Sequence, residues 1–248
     1  MGRILFALSF VAIGALSLGF HDFAVDWELL PKWLAAYGAL LTLSGVVLFA
    51  GGVALLVPRV AKPASLVVTG FLLLRLFLLH TPRVIAHPLV EVVYQSLSEN
   101  LVLVAGGWTI FAMLPRDDGT PSGDVRIGQI LFALALPAFG LSHFFYMNLT
   151  APIIPAWIPF HAALGYFTGG AHIAAGLGIL FGVLPRLAAT LEAVMVSLFT
   201  VLVWPPIILA APMNHSNWSE VCASAAISAA AWVVAESFRA EPWISRRR

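Results

Sequence analysis

Eight apolar runs, each long enough to cross a bilayer, restrict the fold of this chain more than any other feature. They cover residues 3–20, 34–57, 63–80, 95–114, 126–146, 160–184, 187–210 and 219–238. A hydrocarbon core about 30 Å thick needs roughly 20 apolar residues per helix. Membrane strands would instead show short segments of alternating polarity. The sequence therefore predicts an all-α, polytopic membrane protein whose eight transmembrane helices contact the lipid bilayer.

Composition agrees with this class and excludes others. Hydrophobic residues make up 60% of the chain and charged residues only 10%, against about 25% charged residues in soluble domains. The net charge of +1 provides no basic face for nucleic acid. Cys222 is the one cysteine, so an internal disulfide or a CxxC redox pair is excluded. The first run exceeds a signal-peptide core, and we expect it to be a membrane helix.

The chain also repeats itself at a spacing of about 120 to 130 residues. The motif ILFAL occurs at residues 4–8 and 130–134, and Pro-Arg, Ser-Glu and Trp matches follow in the same order at Pro58 and Pro185, Ser98 and Ser219, and Trp108 and Trp232. We predict two parallel-repeat four-helix bundles, at residues 1–115 and 126–240. Residues 116–125 form a polar linker and residues 241–248 a basic tail.

The distribution of Lys and Arg predicts the orientation in the membrane. Of the 13 basic residues, only Lys32 and Arg83 lie in loops on the side opposite the termini, and Arg75 lies inside a span. Because positive residues concentrate in cytoplasmic loops, both termini are predicted to be cytoplasmic. The expected location is the cytoplasmic (inner) membrane of a bacterium or archaeon.

The histidines mark the candidate site. Six of the seven lie at or near the predicted outer ends of spans, namely His21, His80, His87, His143, His161 and His215. His172 alone lies near mid-membrane, where a polar side chain normally faces the protein interior and a partner. His161 and His172 share a face of the sixth span, because three helical turns separate them. We predict His172 and His143 as catalytic residues of one outer cavity.

His161, Tyr166 and Thr168 are predicted to bind a ligand in the same cavity. A structural alternative is that His172 bonds Thr168 or a backbone carbonyl. Two histidines on neighbouring helices can also hold haem or a metal. However, no HxxxH or ExxH spacing accompanies them, and no metal site is predicted.

The acidic residues of the spans offer further candidates. Glu99 and Glu220 each follow a serine, and we interpret them as equivalent positions of the two copies. Either carboxylate can cap a helix N-terminus, and Glu220 is also assigned to ligand binding. A structural ion pair between Arg75 and Glu99 is favoured over a proton path. Glu192 is expected at the membrane interface.

The second half resembles the DoxX-like membrane proteins. The resemblance rests on HFFYMN, on Pro155-x-Trp157-x-Pro159, on the helix TGGAHIAAGLGIL and on an Arg-x-Ala-Ala turn at Arg186. His172 stands where that family usually has Glu, and the corresponding position of the first half falls near Gly45.

The resemblance implies a quinone-interacting or anchoring subunit of an oxidoreductase system, with other membrane or periplasmic subunits as partners. Two alternatives are a structural or assembly subunit without chemistry and a transporter of a small solute or lipid. Since the first half has no counterpart to His172, we expect it to be a scaffold for the second.

Overall fold

The computed structural model describes residues 1–20, 38–115 and 119–246, and it is almost entirely helical in these ranges. The helices are α1 (Gly2–Phe20), α2 (Gly38–Leu56), α3 (Ala61–Arg75), α4 (Thr81–Ala86), α5 (Glu91–Met113), α6 (Val125–Phe145), α7 (Met147–Ile153), α8 (His161–Leu180), α9 (Pro185–Ala210) and α10 (His215–Ser237). Eight helical segments within the described ranges are long and apolar enough to cross a membrane. The all-α, polytopic prediction is confirmed. His21, Lys32 and most of the predicted linker's charges (Arg116 to Asp118) lie outside the described residues.

The third span is longer than predicted. A π-helical segment, Leu76–His80, joins α3 to α4, so this span runs from Ala61 to Ala86. Pro82 does not stop it, because a proline is tolerated in the first turn of α4. His80 is therefore an interior residue, 2% exposed, with its Nδ1 3.2 Å from the hydroxyl of Ser96. The expectation that His80 lies at or near the end of a span is wrong.

Both ends of the described chain lie at the same face of the helix bundle. The N-terminal ammonium of Met1 is 3.0 Å from Oε1 of Glu236 near the end of α10. We call this face the terminal face and the opposite one the distal face. The side of a membrane on which each face lies stays a prediction.

The helices form two rings that share members. α1, α2, α3 and α5 pack in sequence, and α10 closes this first ring by packing on both α1 and α5. In the second ring α6, α8, α9 and α10 pack in sequence, and α5 closes the ring by packing on α6 and α10. Each four-helix repeat is thus closed by the last helix of the other repeat.

Glycine crossings show that the two rings are related by a pseudo-twofold axis. A Cβ on Gly52 would lie 2.7 Å from the Ala7 carbonyl, and one on Gly176 would lie 2.8 Å from the Ala133 carbonyl. These are the same crossing in the two repeats, and small residues allow the backbones to approach so closely. Gly106 of α5 packs against Ala230 of α10, the equivalent position of the second repeat. A Cβ on Gly106 would lie 2.8 Å from the Cβ of Ala230. The axis therefore passes through the interface of α5 and α10.

This crossing corrects the predicted equivalence of Glu99 and Glu220. α5 and α10 are continuous helices, so one register relates them along their whole length. Gly106 then corresponds to Ala230, and Trp108 to Trp232. With the same offset, the residue equivalent to Glu99 is Ala223, and the residue equivalent to Glu220 is Ser96. Nor does Glu99 cap a helix, because α5 begins two turns earlier at Glu91 and has no side-chain cap.

The counterpart of His172 also changes. Gly45 packs against Ser17 and Leu18, just as Gly169 packs against His143 and Phe144. Because Gly45 therefore corresponds to Gly169, the residue one turn further along α2, Leu48, corresponds to His172. Leu48 is 2% exposed and lies in the core of the first ring.

The described part of the C-terminal tail is docked on the turn between α8 and α9. The backbone N–H of Leu184 donates to the carbonyl of Ser245 at 2.9 Å. The guanidinium of Arg186 donates to the carbonyl of Glu241 at 2.7 Å and lies 4.0 Å from the centre of the Trp243 ring. The tail thus holds the terminal-face ends of α8 and α9 together.

Candidate functional site

A cavity of about 1470 Å³ lies inside the second ring. It reaches from α7 and the following loop, at Ile153 and Ile158 on the distal face, to the turn at residues 181–184 near the terminal face. Most of the lining side chains are aliphatic or aromatic. The first ring encloses a space of only about 20 Å³, where Phe10, Ile13 and Leu48 fill the interior.

Among the spans that line the cavity, α9 is the least buried. Only 11% of the residues in its apolar stretch are buried, compared with 50% in the third span. Lining residues on both sides of the gap between α8 and α9 are exposed, including Phe167 and Phe181 on one side and Leu191 and Leu198 on the other. These surfaces are apolar, so the gap opens sideways, toward the region that lipid tails occupy.

His172 and Glu192 form a buried pair in the wall of the cavity. Nδ1 of His172 is 2.7 Å from Oε1 of Glu192, and the two residues are 2% and 1% exposed. α8 and α9 are antiparallel neighbours joined by a short turn, and the two residues lie almost equally far from that turn. The hairpin therefore brings them together, and the expectation that Glu192 lies at the membrane interface is wrong. Equal spacing about the turn is the sequence signal that would have revealed the pair.

His143 lies beside this pair and is positioned by α8. Its Nδ1 is 3.1 Å from both the carbonyl of Gly165 and the hydroxyl of Thr168. Its ring meets that of His172 edge-on with the centroids 5.4 Å apart, and Phe199 lies within 6.0 Å of both rings. The structure thus places His143, Thr168 and His172 in one cavity, as predicted. Thr168 and the backbone carbonyl are partners of His143 and not of His172, so the structural alternative for His172 is wrong.

Two other predicted residues lie outside the cavity lining. Tyr166 is 46% exposed and stacks on Phe144, because six residues of helix turn it away from the face of His172. His161 is the half-buried first residue of α8. The distal end of the cavity is lined instead by α7 and the loop after it. The expectation that Tyr166 and His161 line the cavity is wrong.

The opposite wall carries acidic and amide groups from α5 and α10. Glu99 and Gln95 come from the first repeat, with the Gln95 amide donating to Oε1 of Glu99 at 3.2 Å, and Glu220 comes from the second. The first repeat is therefore part of the site, and the expectation that it serves only as a scaffold is wrong. Glu99 and Arg75 are both buried and both line the small space of the first ring. Their ion pair stays a prediction.

No group of three or more His, Cys, Asp or Glu side chains within residues 1–20, 38–115 and 119–246 is arranged to hold a metal ion. Comparisons of the chain with family models, with curated proteins and with solved structures find no match.

Proposed function

We propose that the protein is a membrane subunit of an oxidoreductase system and that it binds a quinone-class molecule in the cavity between α8 and α9. The observation that carries this proposal is a buried His–Glu pair in the wall of a large apolar cavity that opens toward lipid. The apolar cavity and the buried polar pair each indicate one property of the ligand.

The apolar part favours a ligand that is dissolved in the membrane. The volume of about 1470 Å³ exceeds the roughly 300 to 1,000 Å³ of pockets for drug-sized molecules. Aliphatic and aromatic side chains line it along nearly the whole length of α8, from Leu164 to Phe181. An isoprenoid chain fits such a lining, and the gap between α8 and α9 is a path for it from the bilayer.

The polar part favours a ligand whose chemistry includes a proton. Ionisable side chains inside a membrane are costly and commonly mark proton relays. His172 and Glu192 hold one hydrogen between them at 2.7 Å, and His143 is the next polar ring. Quinone-class molecules exchange protons when they exchange electrons, so these residues would accept or supply the proton at the ligand's head group.

The DoxX-like resemblance supports the same class of function and adds a partner. A second subunit, in the membrane or on the outer side of it, would exchange electrons with the bound molecule. The Lys and Arg distribution supports a cytoplasmic position for the terminal face. The site would then be reached from the outer half of the membrane, where His143 and Thr168 lie.

Direct binding tests this proposal. The purified protein in nanodiscs should bind a short-chain quinone or its quinol above the level of empty nanodiscs. Ala171→Phe, which fills the cavity without removing a polar group, should abolish binding, and His172→Gln and Glu192→Gln should weaken it at least about tenfold, since each removes a buried polar contact. His87→Gln is the matched control, because His87 is exposed and lies outside the cavity.

The proposal fails if neither form binds or if Ala171→Phe binds as well as the natural protein. In that case co-purification of partner chains with the variants would support the assembly role instead. Thermal unfolding of every variant separates loss of the site from loss of the fold.

A further inference from the structure

The hydrogen-bonding groups of the cavity differ in what they still offer a ligand. The hydroxyl hydrogens near the histidines are used within the protein: Ser142 donates to the carbonyl of Phe139 at 2.8 Å, and Thr168 to that of Gly165 at 3.0 Å. Thr150, at the distal end, likewise donates to the carbonyl of Tyr146. Among the residues that the structure describes, neither Lys nor Arg lines the cavity. Few donors are therefore left for a ligand.

One acceptor in the cavity wall, by contrast, is buried and has no partner. Oε1 of Glu192 accepts from His172, but Oε2 of the same carboxylate is buried and has no hydrogen-bond partner. Glu192 lines the cavity and is 1% exposed. A buried acceptor without a partner is unusual in native proteins and calls for a missing donor. Because Glu192 lies in the cavity wall, a hydroxyl group of a molecule bound there could supply that donor.

The histidine tautomers add acceptors on the same wall. A backbone carbonyl can only accept, so Nδ1 of His143 carries the hydrogen that it directs at Gly165. In a neutral imidazole the other nitrogen, Nε2, is then an acceptor. The same reasoning applies to His172, whose Nδ1 donates to the Glu192 carboxylate. Both rings line the cavity.

The wall formed by α5 and α10 also carries acceptor groups. A carboxylate can only accept, so the bond between Gln95 and Glu99 uses an amide hydrogen of Gln95. The amide oxygen of Gln95 and the carboxylates of Glu99 and Glu220 are all acceptors. The hydroxyl of Ser224 is already hydrogen-bonded to that of Thr200. The remaining donors in the lining are the second amide hydrogen of Gln95 and the side chains of Tyr146 and Trp204. Tyr146 and Trp204 lie at the distal end of the cavity, away from His172 and Glu192.

From this imbalance we infer that the cavity selects the reduced, hydroxyl-bearing form of its ligand, a quinol, over the quinone. The inference rests on the proposed function and specifies the substrate form. A quinone offers two carbonyl oxygens, which only accept and would face the lone pairs of Glu192 and His143. A quinol offers two hydroxyl groups, and each can donate to one of these acceptors. A fatty acid or a lipid phosphate is disfavoured because no cation lines the cavity.

The test compares three ligands that share one ring and one short chain: the quinone, the quinol, and the quinol dimethyl ether, which keeps the oxygens but has no hydrogen to donate. Binding is measured without oxygen, on the protein in nanodiscs. The quinol should bind at least about tenfold more tightly than the quinone, and the dimethyl ether should bind as weakly as the quinone. Glu192→Gln, which replaces an open acceptor with an amide, should reduce the preference for quinol. His87→Gln should leave it unchanged.

The outcomes separate the two proposals. If none of the ligands binds, the proposed function is wrong. If the quinone binds as tightly as the quinol, or the dimethyl ether binds as tightly as the quinol, the site exists but the inferred selectivity is overturned. The ligand series uses the natural protein, so these results do not depend on the folding of any variant.

Discussion

Replacement of the His172–Glu192 pair by leucine predicts a specific pattern of stabilities. His172→Leu copies the first repeat, which has Leu48 at the corresponding position. In the second ring, however, the substitution leaves the carboxylate of Glu192 buried without its partner, since the pair is 2% and 1% exposed. Breaking a buried pair by removing one member costs about 3–5 kcal/mol. At about 2–4 °C per kcal/mol for a chain of this size, Tm should fall by roughly 6 to 20 °C.

The double variant His172→Leu, Glu192→Leu should regain most of this stability. Replacing both members of a buried hydrogen-bonded pair with apolar residues of similar volume is often neutral or stabilising. The coupling energy in the double-mutant cycle should therefore reach about 3 kcal/mol, far above that of independent sites. The double variant should fold well and bind no quinol, which would separate the cost of the pair from its function.

Heating in detergent with a thiol-reactive dye provides the assay. Cys222 of α10 is the free cysteine and is partly buried, so its exposure to the dye reports unfolding of the shared helix. His87→Leu, at an exposed loop position, controls for the change of residue type. The reasoning is refuted if His172→Leu is as stable as the natural protein, or if the double variant is no more stable than the weaker single variant.

Three further predictions follow from the packing. Gly14→Ala should destabilise the fold by about 1–3 kcal/mol, because the added Cβ would overlap the backbone N of Phe49. Gly70→Ala, with open space around it, should stabilise the fold by up to about 1 kcal/mol, and the unfolding midpoints of the two variants would check both signs. Leu48→His should lower Tm, since it buries a polar ring in the apolar core of the first ring, and an unchanged Tm would contradict this reasoning. Arg186→Ala should release the docked tail and speed tryptic cleavage after Arg239, measured by mass spectrometry, with little change in Tm; equal cleavage rates would show that other contacts hold the tail.

The lengths of the apolar runs were sufficient to predict the class of fold and the position of most spans. Backbone groups in lipid have only helices to satisfy them, so a run such as residues 126–146 has one outcome, and α6 follows it closely. His172 was also predictable, because a polar residue at mid-span needs a partner.

The partner itself was not predicted, because Glu192 is only the sixth residue of the apolar run 187–210. A charged residue so close to the end of a run resembles an interfacial residue when the run is considered alone. Only the hairpin of α8 and α9 shows that Glu192 faces His172. In the same way, the Ser-Glu match led us to treat Glu99 and Glu220 as equivalent positions. The contact between Gly106 and Ala230 gives a different register for α5 and α10, and that contact cannot be read from the sequence. The contribution of Glu99 to the second ring arises from packing between helices far apart in the chain.

The shared helices also determine when the protein can be completed during synthesis. The first ring requires α10, which ends at Ser237, so no ribosome-bound intermediate can close it until α10 has been synthesised. Until then, the face of α1 that finally packs on α10 has to be covered by lipid or by the insertion machinery. A chain that stops after its first repeat would expose the same face permanently, and we expect cellular quality control to degrade it.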